Sequence, residues 1–368
     1  MKILTKTTLM TAILAASMST LAQAKDVELV VVSWGGAYTK SQQKAYSEPF
    51  MKANPDIKVL DDDSSAKAAS KLRAQAEAGK VTWDVVDVLP DVAIALCDEG
   101  LALEINPEKY LSKGADGSSV KDDFGDALVS PCFIPEIVYS TTFGYRTDKF
   151  KGDAVPTVIA DVFDLKKFPG KRALQKSPIG NLEWALIADG VAIDKVYEEL
   201  ATEKGVKRAF KKLDTIKKDV VWWTEGAQPG QLLADGEVVM ASAYNGRLFS
   251  AIVENKQPVA MMWDAQLFEL DGFIIPKDAP NKEAALAYVK FATSTQPQAD
   301  QAKYISYGPA RKSSAALVGK HAELGIEMAP HMPTAPENAK NVLFKDIEFW
   351  ADHKDELAEK FEAWLAKS

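Results

Sequence analysis

The chain has 368 residues, with 44 lysines and arginines against 52 aspartates and glutamates, so its formal net charge is −8. This length is sufficient for two lobes with separate hydrophobic cores. The acidic balance and the lack of basic runs argue against nucleic acid and against anionic membrane surfaces as partners.

The first 24 residues have the organisation of a secretory signal peptide. Lys2 and Lys6 precede an apolar run over residues 7–20, and residues 22–24 (AQA) fit the small-residue cleavage pattern. The apolar run is shorter than the ~20 residues of a membrane-spanning helix. We therefore expect cleavage after Ala24, a soluble mature chain without a lipid anchor, and a periplasmic location.

The next elements along the chain alternate between strands and helices. Residues 27–33 form a nearly continuous apolar run, which is typical of a strand buried on both faces of a parallel sheet. The pattern then predicts a helix over 39–51, a strand over 57–60, a helix ending near 78, a strand over 83–89 and a helix over 92–98. Such alternation favours a doubly wound α/β lobe.

The remaining pattern predicts a second α/β unit that lies between two strands without helical partners. The isolated strands are predicted over 137–145 and 270–275, the helix–turn–strand unit over 229–234, 235–236 and 237–244, and two late helices over 281–292 and 355–366. Two α/β units and two isolated strands indicate two lobes that are joined by two crossovers.

The cysteines and histidines limit the chemistry of the chain. An even count of cysteines, Cys97 and Cys132, favours a disulfide in an oxidising compartment, and two buried free thiols are the alternative. His321, His331 and His353 lie in the C-terminal tail without the spacing of metal ligands or of a nucleophile and its base. We therefore expect no metal site, no cofactor and no catalytic residue.

Several short motifs follow one another along the chain: Trp34 after the first strand, WDVV at 83–86, EGL at 99–101, DGEV at 235–238, YNG at 244–246, Asp271 before IIP at 274–276, NKEAA at 281–285 and YGP at 307–309. In this order and spacing they resemble the spermidine/putrescine-binding family of periplasmic solute-binding proteins, which serve ABC importers. The resemblance implies an α/β, two-lobe type II binding-protein fold with two crossover hinge strands and a ligand cleft between the lobes.

The resemblance also implies how the chain is divided and what it contacts. We expect one lobe to comprise residues 25–140 and 272–320, and the other to comprise 141–271 and 321–368 with the C-terminal helices. Ligands of open α/β sheets lie beyond the carboxyl ends of strands, and such lobes close by hinge motion. The expected partners are a small amine or amino-acid ligand and an inner-membrane ABC permease, and we expect a monomer.

The ligand residues follow from the resemblance and from the predicted strand ends. Tyr244 matches an aromatic residue that stacks on the amine chain, and Asp271 matches a carboxylate that pairs with an ammonium group, with Glu269 in place of the family's tryptophan. The full predicted set is Trp34, Gly35, Gly36, Tyr38, Asp87, Asp91, Ser177, Tyr244, Arg247, Glu269, Asp271 and Tyr307. Core packing of Trp34, strand packing of Tyr244 and a turn role for Asp271 are the alternatives.

Two departures from the family bear on the identity of the ligand. The second acidic cluster of polyamine binders falls near residues 177–180, where this chain has no carboxylate, and Glu183 is the nearest acid. Arg247 follows the YNG motif, and arginine is a fixed bidentate donor for carboxylates. Arg247 with Asp271 suits a zwitterionic ω-amino acid of the γ-aminobutyrate type, although a polyamine ligand and an Arg247–Asp271 ion pair are open alternatives.

Other classes of function have weaker support in the sequence. A ferric-ion binder usually needs adjacent tyrosines, and the chain has no Tyr-Tyr pair. A thiamine-like cation is a further possible ligand. A Ser-x-x-Lys pattern at 64–67 falls inside a predicted helix and has no companion motif, so a secreted enzyme is not favoured.

Overall fold

The computed structural model describes residues 27–367. The predicted signal peptide and its cleavage site lie outside these residues. Within the described range, no helix has the length and apolar character needed to cross a membrane.

Residues 27–367 contain ten strands, which belong to one sheet. The strands are β1 (Val27–Val32), β2 (Ile57–Asp62), β3 (Val85–Val88), β4 (Ile134–Arg146), β5 (Arg172–Gln175), β6 (Val220–Trp223), β7 (Met240–Tyr244), β8 (Val259–Ile274), β9 (Gly308–Pro309) and β10 (Val342–Phe344).

Most helices lie between these strands. The α-helices are α1 (Gly36–Gln42), α2 (Glu48–Ala53), α3 (Ala68–Glu77), α4 (Pro90–Asp98), α5 (Pro107–Tyr110), α6 (Val120–Phe124), α7 (Ile159–Phe163), α8 (Asn181–Ala188), α9 (Val196–Leu200), α10 (Glu203–Asp214), α11 (Gln228–Ala234), α12 (Asn245–Phe249), α13 (Lys282–Ala292), α14 (Thr295–Gln301), α15 (Lys312–Ala315) and α16 (Ile347–Leu365). Short π-helical turns at Gln43–Ser47 and Ser250–Glu254 extend α1 and α12.

The sheet consists of two parallel groups joined by two long antiparallel strands. The strand order is β2-β1-β3-β8-β4-β7-β5-β6. Strand β1 is parallel to β2 and β3, and β5 is parallel to β6 and β7. The central strands β4 and β8 pair with each other and each runs antiparallel to one parallel group. This is the two-lobe α/β fold with two crossover strands that the sequence predicts.

The second crossover strand is longer than its sequence pattern suggests. Strand β8 begins at Val259, whereas the pattern indicates a strand only from Leu270. Ala265 has a φ of 52°, and the pairing with β4 shifts register between Thr141 and Phe143. The irregular register interrupts the apolar–polar alternation, which explains why the first half of the strand is not recognisable from the sequence.

The last helix also begins earlier than predicted. The sequence indicates a helix from about residue 355, but α16 begins at Ile347 after Asp346, whose side chain accepts a hydrogen bond from the backbone N–H of Phe349 at 2.9 Å. The buried face of α16 joins the hydrophobic core around α8 and α10; its members are Phe349, Trp350, Leu357, Phe361 and Trp364. The helix therefore packs on the lobe that contains β5–β7.

The predicted disulfide between Cys97 and Cys132 is present, with 5.8 Å between the two Cα atoms. It links the C-terminal part of α4 to the segment just before β4. Neither cysteine is a free thiol.

We expect the double substitution Cys97→Ala with Cys132→Ala to lower the free energy of unfolding by roughly 3–4 kcal/mol. The crosslink spans 35 residues of sequence, and a loop of that size limits the entropy of the unfolded chain by this amount. Urea denaturation of the two proteins measures the difference. The oxidised parent in the presence of a reductant serves as a control, because it should lose similar stability. Equal unfolding midpoints for parent and variant would contradict the prediction.

Candidate functional site

A cavity of about 100 Å³ lies over the central strands, where both parallel groups meet β4 and β8. Its lining includes the predicted residues Asp91, Ser177, Tyr244 and Glu269. A larger cavity of about 560 Å³ is lined mainly by apolar side chains such as Phe268, Leu270 and Phe344, and Asp91 and Glu269 also border it. Because the smaller cavity adjoins the aromatic and acidic side chains described below, we take it as the candidate ligand cleft.

Five aromatic side chains pack in one cluster, called here the aromatic cluster: Trp34, Tyr38, Tyr139, Tyr244 and Tyr307. Of these, Tyr139 and Tyr244 line the cavity, and the other three pack beside them. The ring centroid of Tyr139 is 5.8 Å from that of Tyr244 and 5.9 Å from that of Tyr307. The centroids of Tyr38 and Tyr307 are also 5.9 Å apart. Rings in such a group offer negative faces to a ligand ammonium group.

The segment between β1 and α1 carries Trp34, which packs against the rest of the aromatic cluster. Gly35 and Gly36 have φ values of 80° and 61°, which glycine adopts without the penalty of a side chain. The hydroxyl of Thr39 accepts a hydrogen bond from the backbone N–H of Gly35 at 2.8 Å. The indole N–H of Trp34 donates to Asp87 Oδ1 at 3.3 Å. Trp34 is therefore tied to an acidic residue of the site and is not an isolated core side chain.

Three buried carboxyl groups form what we call the carboxyl cluster, which consists of Asp87, Glu136 and Asp271. Asp87 and Glu136 are 0% exposed, and Asp271 is 5% exposed. Gln42 Nε2 donates to Asp87 Oδ2 at 2.6 Å and to the two carboxyl oxygens of Glu136 at 3.0 and 2.9 Å. The Tyr38 hydroxyl donates to Glu136 Oε2 at 3.1 Å. The side chains that donate to Asp87 and Glu136 are thus neutral.

Burial raises the pKa of each member of the carboxyl cluster well above its usual value. The negative charge of Asp271 raises the pKa of Asp87 further, and that of Asp87 does the same for Glu136. Asp271 accepts a hydrogen bond from the backbone N–H of Gly272 at 3.0 Å. A cation placed among these groups would favour their ionised forms.

Two other predicted acids, Glu269 and Asp91, are already paired with lysines. Glu269 Oε1 lies 3.2 Å from Lys345 Nζ, with less than a tenth of either side chain exposed, and the Thr141 hydroxyl donates to Glu269 at 3.1 Å. Asp91 Oδ2 lies 2.8 Å from Lys354 Nζ. Burial opposes the charge of Lys345, but Glu269 and Asp91 outweigh it and raise the Lys345 pKa. These acids line the cleft without adding net negative charge.

The YNG motif at 244–246 leads into α12, and Arg247 lies on this helix. The buried side chain of Asn245 accepts a hydrogen bond from the backbone N–H of Ser140 at 3.0 Å and donates to the carbonyl of Ser306 at 2.5 Å. It therefore connects the start of α12 both to the crossover strand β4 and to the segment before β9. The Asn245 contacts fix the position from which Arg247 extends.

Arg247 reaches across to the glycine loop before α1. A Cβ atom added to Gly36 would lie 3.7 and 3.8 Å from the two terminal nitrogens of Arg247, and one added to Gly246 would lie 2.6 Å from Tyr307 Cε1. Both glycines thus allow close approach. The arginines that form ion pairs within residues 27–367 are Arg73, Arg146, Arg208 and Arg311. Arg247 is not among them, so the structure does not pair it with Asp271.

The segment that corresponds to the second acidic cluster of polyamine binders has no carboxylate in the cleft. Ser177 lines the cavity, and its carbonyl accepts a hydrogen bond from Asn181 at 2.7 Å. Glu183 is fully buried, and its carboxyl accepts from the indole N–H of Trp350 at 2.8 Å and from the Tyr197 hydroxyl at 3.2 Å. Burial raises the Glu183 pKa to about 7. Glu183 therefore belongs to the hydrophobic core.

Several side chains of the site were not predicted from the sequence, among them Gln42, Glu136, Tyr139 and Lys345. Glu136 is the only charged residue in the apolar run 133–140, and this signal could have identified it. Gln42 and Tyr139 give no comparable signal, because amides on helices and tyrosines in strands are common. Lys345 lies far along the chain from Glu269, and only the fold brings the two together.

The fold and the cleft define a two-lobe solute-binding protein. A family model described as bacterial extracellular solute-binding protein matches residues 45–334. The chain belongs to this family, and it is a solute-binding protein of an ABC transporter. The narrower spermidine/putrescine assignment is not shown by these matches.

Individual relatives cover nearly the whole chain. The γ-aminobutyric acid-binding protein of Pseudomonas aeruginosa is 37% identical over 346 residues, which are 94% of this chain and 93% of that protein. The PBP MotA from A. tumefaciens B6 in complex with glucopine is 32% identical, with a TM-score of 0.79 and coverage of 92% of this chain and 100% of that chain. The Atu4243-GABA receptor is 35% identical, with a TM-score of 0.77 and coverage of 93% and 98%.

Proposed function

We propose that the cleft binds a small zwitterionic ω-amino acid of the γ-aminobutyrate type. The ligand's ammonium group binds at Asp271 and the carboxyl cluster, and its carboxylate binds at Arg247. One observation carries this proposal: charged groups without a charged partner lie around one aromatic cluster. The side chains that donate to the carboxyl cluster are neutral, and Arg247 takes part in none of the ion pairs found within residues 27–367.

The ammonium end is supported by charge and by burial. Asp87, Glu136 and Asp271 are almost fully buried, and water screens a charge pair much less at such a position than at the surface. Charge-assisted hydrogen bonds to carboxylates are about twice as strong as neutral ones. The neighbouring tyrosine rings add cation–π attraction of roughly 0.5–2 kcal/mol per contact.

The carboxylate end is supported by the position of Arg247. A planar guanidinium group donates two parallel hydrogen bonds to a carboxylate. A diamine would instead bring its second ammonium group toward this cation, which is unfavourable. The names of two relatives, a γ-aminobutyric acid-binding protein and a GABA receptor, support the same ligand class.

The transport role extends the family assignment. We propose that the chain is exported to the periplasm, that its signal peptide is removed after Ala24, and that the monomeric protein delivers its ligand to an inner-membrane permease. The proposed lobes are residues 25–140 with 272–320, and residues 141–271 with 321–368. We propose that the protein is not an enzyme.

Calorimetric titration with a ligand panel tests the ligand assignment. The panel contains γ-aminobutyrate, longer ω-amino acids, putrescine, spermidine and a betaine. We expect γ-aminobutyrate to bind roughly tenfold to a hundredfold more tightly than putrescine, since hydrogen bonds to a charged group contribute about 1.5–3 kcal/mol. Tighter binding of putrescine would favour the polyamine alternative. Binding of none of these compounds would refute an amine-bearing ligand.

A further inference from the structure

We propose that the carboxyl cluster of Asp87, Glu136 and Asp271 holds a proton in the ligand-free protein and releases it when the ligand's ammonium group binds. This inference rests on the proposed function, because it concerns the ammonium end of the same cleft. It adds a regulatory property: the affinity for the ligand should depend on pH in a range where γ-aminobutyrate itself does not change its charge.

The first step of the argument is the proximity of the three acids. One nitrogen, Gln42 Nε2, donates to both Asp87 and Glu136, so both carboxyl groups lie within 3.0 Å of a single amide nitrogen. Asp87 and Asp271 lie on the paired strands β3 and β8, and the charge of Asp271 raises the pKa of Asp87. Two carboxylates that share a site do not ionise independently, because the charge on one opposes ionisation of the other.

The second step is that, within residues 27–367, none of the three acids of the cluster forms an ion pair with a lysine, arginine or histidine. The polar and titratable side chains around the cluster come from helices and from strands. Helix α1 and its π-helical extension contribute Tyr38, Gln42 and Tyr46, and the strands contribute Asp87 from β3, Glu136 and Tyr139 from β4, and Glu269 and Asp271 from β8. The set is completed by Arg247 from α12, Tyr288 from α13 and Tyr307 from the segment before β9. Burial raises the pKa values of Tyr244 and Tyr307, and the positive charge of Arg247 partly offsets this rise. Lys345 is held by Glu269.

The third step gives the sign of the effect. Burial first, and then mutual repulsion, raise the pKa of the acids in the cluster, so part of the cluster stays protonated above the usual carboxyl range. An ammonium group placed there stabilises the ionised form and lowers these pKa values. Ligand binding therefore favours loss of a proton, and affinity rises with pH until the ligand-free cluster is itself ionised.

The exchange is balanced in atoms and charge. One carboxyl O–H bond breaks, its electron pair remains on the carboxylate oxygen, and the proton passes to the buffer. The ligand's ammonium group keeps its three hydrogens and donates to the carboxylate that has formed. No bond in the ligand is made or broken.

Calorimetry in two buffers tests the proton exchange. The protein is titrated with γ-aminobutyrate at pH 7 in phosphate and in Tris, whose ionisation enthalpies differ strongly. The difference between the two observed enthalpies gives the number of protons released, and we expect a measurable release of at most about one proton per ligand. Titrations from pH 5 to 8 should show the association constant rising by up to about tenfold per pH unit.

Two conservative variants locate the titrating group. Glu136→Gln removes one acid from the cluster, and we expect the rise of affinity with pH to shift to lower pH because the two remaining acids repel less. Glu183→Gln is the matched control, since Glu183 is also buried with a pKa of about 7 but lies outside the cluster. This control should retain the pH profile and the proton release of the parent.

The outcomes separate this inference from the proposed function. Binding of γ-aminobutyrate without proton release from pH 5 to 8 overturns the inference and leaves the function intact. Loss of the proton release in Glu183→Gln also overturns it, because the titrating group would then be in the core. If γ-aminobutyrate does not bind but putrescine does, the same two-buffer titration with putrescine decides the matter. Binding of no panel compound refutes both proposals.

Discussion

Replacing Asp271 by asparagine should lower the affinity for γ-aminobutyrate by roughly 30-fold to 5,000-fold. The substitution keeps the shape of the side chain but removes the charge that holds the ligand's ammonium group. Truncation of one partner of a buried charge pair costs 2–5 kcal/mol or more, much of it from the other charge left without a counterion. Calorimetric titration at pH 8 measures the effect, because the cluster of the parent is most ionised at the upper end of the range tested.

The stability of the same variant distinguishes a binding defect from a folding defect. Asp271 is a buried acid whose pKa is raised by burial, so the folded protein is less stable when this group must ionise. We therefore expect Asp271→Asn to unfold at the same temperature as the parent or at a higher one above pH 7. Glu183→Gln is again the buried control and should bind normally. Unchanged affinity in Asp271→Asn would contradict the assignment of the ammonium site.

The central architecture was predictable because its signals are local. The buried strand β1, the helix–glycine–strand units and the isolated strand β4 each depend on apolar periodicity and on turn residues within one short segment. Strand β8 was only partly predictable, since Ala265 and the shifted register with β4 interrupt its pattern. The bounds of an element are lost where tertiary pairing, and not local sequence, decides the conformation.

The candidate site was predictable where it depends on strand ends. Trp34, Asp87 and Tyr244 each end a strand or closely follow one. The structure brings Trp34 to Asp87 through a hydrogen bond and packs Trp34 and Tyr244 in the same aromatic cluster. Whether an acid is free or paired was not predictable, because the partner comes from a distant segment. Glu269 looked available in the sequence, but the fold brings Lys345 to it.

The second large effect is expected for Arg247→Ala, which should lower the affinity for γ-aminobutyrate by roughly 30-fold or more. The variant removes the two parallel hydrogen bonds to the ligand's carboxylate in a partly desolvated cleft. The same substitution should leave the affinity for putrescine unchanged or raise it, because it removes a cation from the path of the second ammonium group. Opposite effects on the two ligands identify a charge interaction specific to the carboxylate end.

Two further variants sharpen the Arg247 test. Arg247→Lys keeps the positive charge but not the planar fork, so we expect an intermediate affinity for γ-aminobutyrate. Arg208→Ala is the control for loss of an arginine, because Arg208 lies on α10 and pairs with Asp189 at the surface. If Arg247→Ala binds γ-aminobutyrate as tightly as the parent does, the zwitterion assignment is wrong. The membership of the solute-binding family does not depend on that result, since it follows from similarity over most of the chain.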